Sequence, residues 1–173
     1  MRNNQSTYLK LVIFLLAVAL AFPAAASAVE VGEKLPLFKA EDMNGKMIDL
    51  SKIVGKKPVA LVFWASWSSE SKTKFPEVNE LYEKWGYRGL KFIGINVGMG
   101  DTVEKARKVL EEYQVPYPNV FDKTGELSEK YRIKKVFCMI VAAKDGTVMM
   151  KYYDSVPVID DNNFLVLKTY EKN

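Results

Sequence analysis

The stretch from Val59 to Lys72, Val-Ala-Leu-Val-Phe-Trp-Ala-Ser-Trp-Ser-Ser-Glu-Ser-Lys, restricts this chain more than any other. Its first half is a continuous apolar run rich in β-branched and aromatic residues, the pattern of a strand buried on both faces. Ser68 or Ser69 then stands where a helix needs an N-cap, and Pro76, Val78, Leu81, Tyr82 and Trp85 continue at helical spacing. A buried strand running straight into a helix start brings free N–H groups and the positive end of a dipole to one spot. Anions, and chemistry that makes them, are favoured there.

The remaining elements follow from the same reading. Met43-Asn44-Gly45 lies between two short alternating runs, Phe38–Asp42 and Lys46–Leu50, and predicts a β-hairpin. Asp49 or Ser51 is placed to cap a short turn through Ile53. Leu90–Val97 predicts a second buried strand, one crossover after the first and so parallel to it. Gly98-Met99-Gly100 follows a strand, but it lacks the rest of a phosphate-binding fingerprint and reads as a loop. Asp101 or Thr102 is placed to cap a helix to Tyr113, striped by Val103, Ala106, Val109, Leu110 and Tyr113. Val115–Asp122 is extended and bounded by prolines, and Thr124–Tyr131 predicts a short helix. Val136–Ala142 and Val148–Tyr153 are strands joined by the turn Lys144-Asp145-Gly146-Thr147, and Asp160-Asp161 open a last helix to about Tyr170. The order implies an α/β sandwich with a mixed central β-sheet flanked by helices, and an N-terminal β-hairpin extension.

Composition removes whole classes of chemistry. The 173 residues contain no histidine and one cysteine, Cys138. Ser–His and Cys–His nucleophiles are excluded, and so is the commonest zinc ligand. One thiol can form neither an intramolecular disulfide nor a two-thiol redox cycle. No metal and no cofactor is expected. Lys and Arg number 25 against 21 Asp and Glu, and Arg2 and Lys10 are the only charges before Val29. The balance beyond Val29 is close to neutral and offers no ground for a nucleic-acid partner.

Arg2 and Lys10, the apolar run Leu11–Phe22 and the small residues Ala26-Ser27-Ala28 read as a secretory signal peptide over residues 1–28. The run is short for a membrane span. A single domain over residues 29–173 is therefore expected in an oxidising, periplasmic space, with no stable membrane anchor after cleavage.

Phe63-Trp64-Ala65, Trp67, Lys72, Phe75 and Pro76 resemble the active-site segment of thioredoxin-like thiol–disulfide oxidoreductases of the TlpA/ResA type. Asp122, Gly125 and Tyr131 fit a further stretch of that pattern. The resemblance covers nearly all of residues 31–173 and implies a thioredoxin-like fold. It also implies a Cys-x-x-Cys at positions 68 and 71, where this chain has Ser68 and Ser71. A cis-proline is implied just before the third main-sheet strand, where this chain has Phe137. A non-proline cis bond costs about 2.5–4 kcal/mol, so a trans bond is expected at Phe137, with its ring on the surface or turned into the core.

Thiol–disulfide exchange needs a thiolate attacking a disulfide sulfur, which a serine hydroxyl does not replace. Ser68 and Ser71 are accordingly read as helix-capping hydroxyls, and the family reaction is expected to be absent. Cys138 stands beside the substituted proline position as a candidate thiol. As a residue among apolar neighbours it reads as a small buried hydrophobe. Trp67 is implied by the resemblance to be exposed, and Trp67, Ser68, Ser69 and Phe137 form the candidate binding face. The first function is a secreted binding or assembly module without dithiol activity, with an unidentified protein partner. The resemblance places it in a context of envelope thiol redox or cytochrome c maturation. The alternative is an oxidoreductase or redox sensor in which Cys138 acts with a partner's thiol.

Overall fold

The structure, a computed structural model, describes residues 29–172. The signal-peptide reading for residues 1–28 lies outside them.

The hairpin forms as the Asn-Gly signal predicts. β1 (Lys39–Glu41) and β2 (Met47–Asp49) pair antiparallel with Ala40 opposite Ile48. Gly45 sits in the turn at φ 83°, a conformation that only glycine adopts without cost. Asp42 Oδ1 accepts the Asn44 and Lys46 N–H groups, both at 2.9 Å, and closes the turn. Asp49 then caps a single 3-10 turn, Leu50–Lys52.

The main sheet contains β3 (Val59–Trp64), β4 (Lys91–Asn96), β5 (Asn119–Phe121), β6 (Cys138–Ala142) and β7 (Val148–Tyr153). Their order is β5-β4-β3-β6-β7, with β3, β4 and β5 mutually parallel and β6 and β7 antiparallel additions. β3 is the central strand, and all six of its residues are fully buried. This is why its sequence is apolar at every position rather than alternating. β5 has only three residues of the 115–122 stretch. Pro116 and Pro118 carry no N–H, so a ladder cannot extend through them.

Helices cover the sheet. α1 (Ser69–Trp85) makes the β3–β4 crossover, and α2 (Val103–Glu112) is capped by Thr102. α3 (Glu126–Lys130) is a short turn of helix, and α4 (Asp161–Thr169) is capped by Asp160. Alternation along the strands sorts the core into two faces. Leu61, Phe63, Ile95, Cys138 and Ile140 pack with Phe38, Ile48 and Leu50 from the hairpin side. Ala60, Val62, Phe92, Met139 and Val141 pack against Val78 and Trp85 of α1 and Phe164 and Leu167 of α4. Each fully buried aliphatic or aromatic chain contributes about 1.5–3 kcal/mol, so the sandwich rests on these two layers. A third cluster joins Trp64 and Phe75 to Ala106 and Val109 of α2.

One glycine is fixed by space rather than by its backbone angles. The Trp64 indole N–H donates to Asn119 Oδ1 at 2.8 Å, and Asn119 Nδ2 donates to the Tyr117 carbonyl at 2.8 Å. The Asn119 amide lies across Gly94, where a Cβ would stand 1.7 Å from Oδ1. Any side chain there would break the tie that Asn119 makes between β3 and β5 across β4.

Candidate functional site

The site forms at the carboxyl end of β3. Between the strand and α1 lie Ala65, Ser66, Trp67 and Ser68. Ser68, with extended backbone angles, is the N-cap, and its Oγ accepts the Ser71 N–H at 3.1 Å. The same Oγ donates to the Val136 carbonyl at 3.4 Å. Ser71 is fully buried, and its Oγ accepts the Ala65 N–H at 3.3 Å. Both hydroxyls are therefore structural: they satisfy backbone donors that the strand-to-helix turn would otherwise leave unpaired. Of the two caps that the sequence allows, Ser68 takes the role and Ser69 stays exposed. Glu70, in the first turn and exposed, suits the helix dipole.

The loop after β4 locks onto this turn through a carboxylate. Asp101 Oδ1 accepts the Ser66 hydroxyl at 2.5 Å and the Thr102 N–H at 2.8 Å. Its Oδ2 accepts the Ser66 N–H at 2.7 Å and Asn96 Nδ2 at 2.8 Å. Asn96 Oδ1 in turn accepts the Gly98 N–H at 2.9 Å. Partial burial of the Asp101 carboxyl works to raise its pKa, but the donors from Asn96, Ser66 and Thr102 outweigh this and hold it below the ordinary carboxylate range. Sequence reading places Asp101 only beside a helix start. Its partner Ser66 is 35 positions away, and no local pattern connects them. Gly98 belongs to the same structural loop: at φ 69°, a Cβ would lie 2.1 Å from the Asp122 carbonyl. Backbone packing thus accounts for the glycine in Gly98-Met99-Gly100.

Trp67 is 54% exposed, and its indole N–H donates to the Met99 carbonyl at 2.8 Å. Beside it opens a groove of about 700 Å³, whose lining includes the apolar Trp67, Met99, Ile133 and Val136 and the charged Glu129, Arg132, Lys134 and Lys135. Met99, 78% exposed, is a part of this surface that the sequence reading missed.

One sequence expectation is corrected at Phe137. The Val136–Phe137 peptide bond is cis, not trans. Local preference favours trans, but tertiary contacts on both sides decide the matter here. The Phe137 ring is fully buried in the layer with Met139 and Val141, and the preceding carbonyl meets Ser68. The ring also takes the core alternative. Of the four residues grouped as a binding face, Trp67 and Ser69 are at the surface, while Ser68 (5% exposed) and Phe137 (0%) are not.

Cys138 lies one residue on and on the other face of the sheet, opposite Phe63 in the β3–β6 register and packed with Tyr131. It is fully buried. Loss of solvent pushes its thiol up to about 12, against a weaker opposing pull from Lys151. Among the described residues, no group of three His, Cys, Asp or Glu side chains could hold a metal ion.

The AhpC/TSA family is matched over residues 31–167. The chain is 27% identical over 157 residues to thiol-disulfide oxidoreductase ResA of Bacillus cereus, covering 87% of this chain and 89% of that protein. It is 28% identical over 126 residues to ResA of Bacillus subtilis, covering 73% of this chain and 69% of that protein. Among solved structures, one from Chlorobium tepidum assigned as thiol:disulfide interchange protein DsbE superposes with a TM-score of 0.66. The two are 25% identical, over 72% of this chain and 86% of that one.

Proposed function

The chain belongs to the AhpC/TSA family, within a thioredoxin-like group of thiol–disulfide oxidoreductase relatives, and from that premise we propose that it is a binding or assembly module that keeps the redoxin scaffold without its dithiol reaction. One observation carries this reading: the chain's single sulfhydryl, Cys138, is sealed in the core, while serine hydroxyls occupied by backbone hydrogen bonds stand at the start of α1. Exchange requires an accessible thiolate in line with a disulfide sulfur. A thiol held neutral up to about pH 12 in a dry layer offers none at physiological pH.

The same facts weigh against Cys138 acting alone with a partner's thiol. The proposed working face is the surface around Trp67, whose ring is exposed yet anchored to the Met99 carbonyl. Exposed, oriented aromatics of this kind mark contact sites. The leader-like residues 1–28 support a location outside the cytoplasm, and no helix among the described residues is long and apolar enough to cross a membrane.

The test is insulin reduction driven by dithiothreitol. The protein is expected to precipitate insulin no faster than the buffer blank. A rate above the blank that Cys138→Ser abolishes would replace this reading with the lone-thiol one.

A further inference from the structure

We propose that a second groove, formed by β2 and the first half of β4, takes up an acidic segment of a partner protein as an added strand. This groove holds about 630 Å³, and its lining includes Met47 and Asp49 of β2, Lys91 and Phe92 of β4, Tyr82 of α1 and Pro118. It shares no lining residue with the groove beside Trp67, so it stands apart from the face assigned above.

The first ground is a main-chain acceptor that the sheet leaves unfilled. β4 pairs with β5 only from Gly94 to Asn96. The Gly94 N–H donates to the Pro118 carbonyl at 2.8 Å, and the Asp122 N–H donates to the Asn96 carbonyl at 2.9 Å. A parallel ladder repeats every two residues, so the donor due to the Phe92 carbonyl is the nitrogen of residue 118. That residue is proline and has no N–H. β3 cannot serve instead. The Lys91 and Val97 N–H groups donate to the Pro58 and Trp64 carbonyls on that side, and Phe92, at the alternate position, turns its peptide groups the other way.

The second is an open strand edge in the same lining. β2 pairs with β1 alone. The Asp42 N–H donates to the Lys46 carbonyl, and the Leu50 N–H donates to the Phe38 carbonyl. Met47 and Asp49 take the alternate positions, so their N–H and C=O groups point away from β1. Met47 is also 51% exposed. An edge of this kind accepts a further strand through its main chain, with apolar contact beside it.

The third is charge. Lys39, Lys46, Lys52 and Lys91 belong to the lining, against Asp42 and Asp49. Both carboxylates are engaged within the hairpin: Asp42 Oδ1 accepts the Asn44 and Lys46 N–H groups, and Asp49 Oδ1 accepts the Ser51 N–H and hydroxyl. Lys52 lies 4.0 Å from Asp49, while Lys46 and Lys91 form no ion pair among the described residues. The net positive lining attracts a segment of the opposite sign and raises its rate of encounter.

Fluorescence anisotropy with three labelled peptides tests this: Gly-Asp-Val-Glu-Val-Asp-Gly, the same with lysine at every acidic position, and the acidic peptide with N-methyl groups on its central amides. The acidic peptide is expected to bind at least about tenfold more tightly than the lysine peptide at low salt, a gap that shrinks near roughly 0.5 M NaCl. N-methylation should cost at least about fivefold, because it removes the donors that strand addition needs. Lys91→Glu, at an exposed position, should cost the acidic peptide about fivefold, the scale of exposed ion pairs, and Lys134→Glu beside Trp67 should cost nothing. Circular dichroism confirms the fold of each variant. Equal affinity for acidic and lysine peptides, no binding by any of them, or binding that N-methylation leaves intact would overturn the proposal. So would a loss at Lys134→Glu as large as that at Lys91→Glu. None of these results touches the loss of dithiol chemistry, which insulin reduction tests by itself.

Discussion

Ser68 Oγ and the Ser71 N–H are joined by a 3.1 Å hydrogen bond that closes the first turn of α1. These two residues stand where the sequence resemblance puts the two cysteines of the redox family. Their spacing and their position at a helix start are thus retained in oxygen chemistry. The double variant Ser68→Cys/Ser71→Cys is expected to form a reversible disulfide, since the dipole at α1 lowers the pKa of a thiol at that site. It should then reduce insulin faster than the unmodified protein. Mass spectrometry of the oxidised form checks the first expectation, and a pair that stays fully reduced under oxidant would show that the frame has been lost as well.

Cys138 is expected to be inert in the folded protein. Ellman's reagent at neutral pH should label it only in denaturant, with one thiol per chain. Its titration also predicts alkaline weakening. The folded thiol ionises near 12 against an ordinary 9.0, so the unfolded chain loses its proton first as pH rises. The stabilisation is complete below about pH 9 and fades as pH climbs towards 12. Cys138→Ala should lose less stability than the parent over that window, as followed by urea denaturation at several pH values.

Phe137→Ala is expected to cost about 3–5 kcal/mol, the usual loss for emptying an aromatic site in a core. The ring is fully buried with Met139 and Val141. Had it lain on the surface, the change would be within about 0.5 kcal/mol. Urea unfolding at neutral pH separates the two.

Asp101→Asn should destabilise the protein by about 1 kcal/mol at neutral pH, below the usual range for charged hydrogen bonds because the carboxyl is partly solvated. The carboxylate is held below its ordinary value of 3.8. The unfolded chain therefore binds a proton first as pH falls, and the advantage over the variant shrinks below about pH 3.8. The same variant frees the Ser66 turn, so Trp67 fluorescence should become more mobile. Unchanged stability and unchanged anisotropy together would remove Asp101 from the site's support.

Much of this protein can be read from residue order alone. The apolar run at Val59–Trp64 requires a central strand, Asn44-Gly45 requires a hairpin, and capping residues at Ser68, Thr102 and Asp160 start the helices. These are local signals, because hydrophobic period, turn chemistry and caps act over a few residues. The absence of histidine and the single cysteine likewise limit the chemistry before any fold is known. Tertiary structure alone decided which side of the sheet each of two consecutive residues enters. Phe137 joins the layer under α1, and Cys138 the layer beneath the hairpin. It also brought Asp101 to Ser66 and set Met99 beside Trp67, contacts across 35 and 32 positions. Such contacts depend on how the strands are ordered and on what packs over them, and neither is written in the neighbourhood of any one residue.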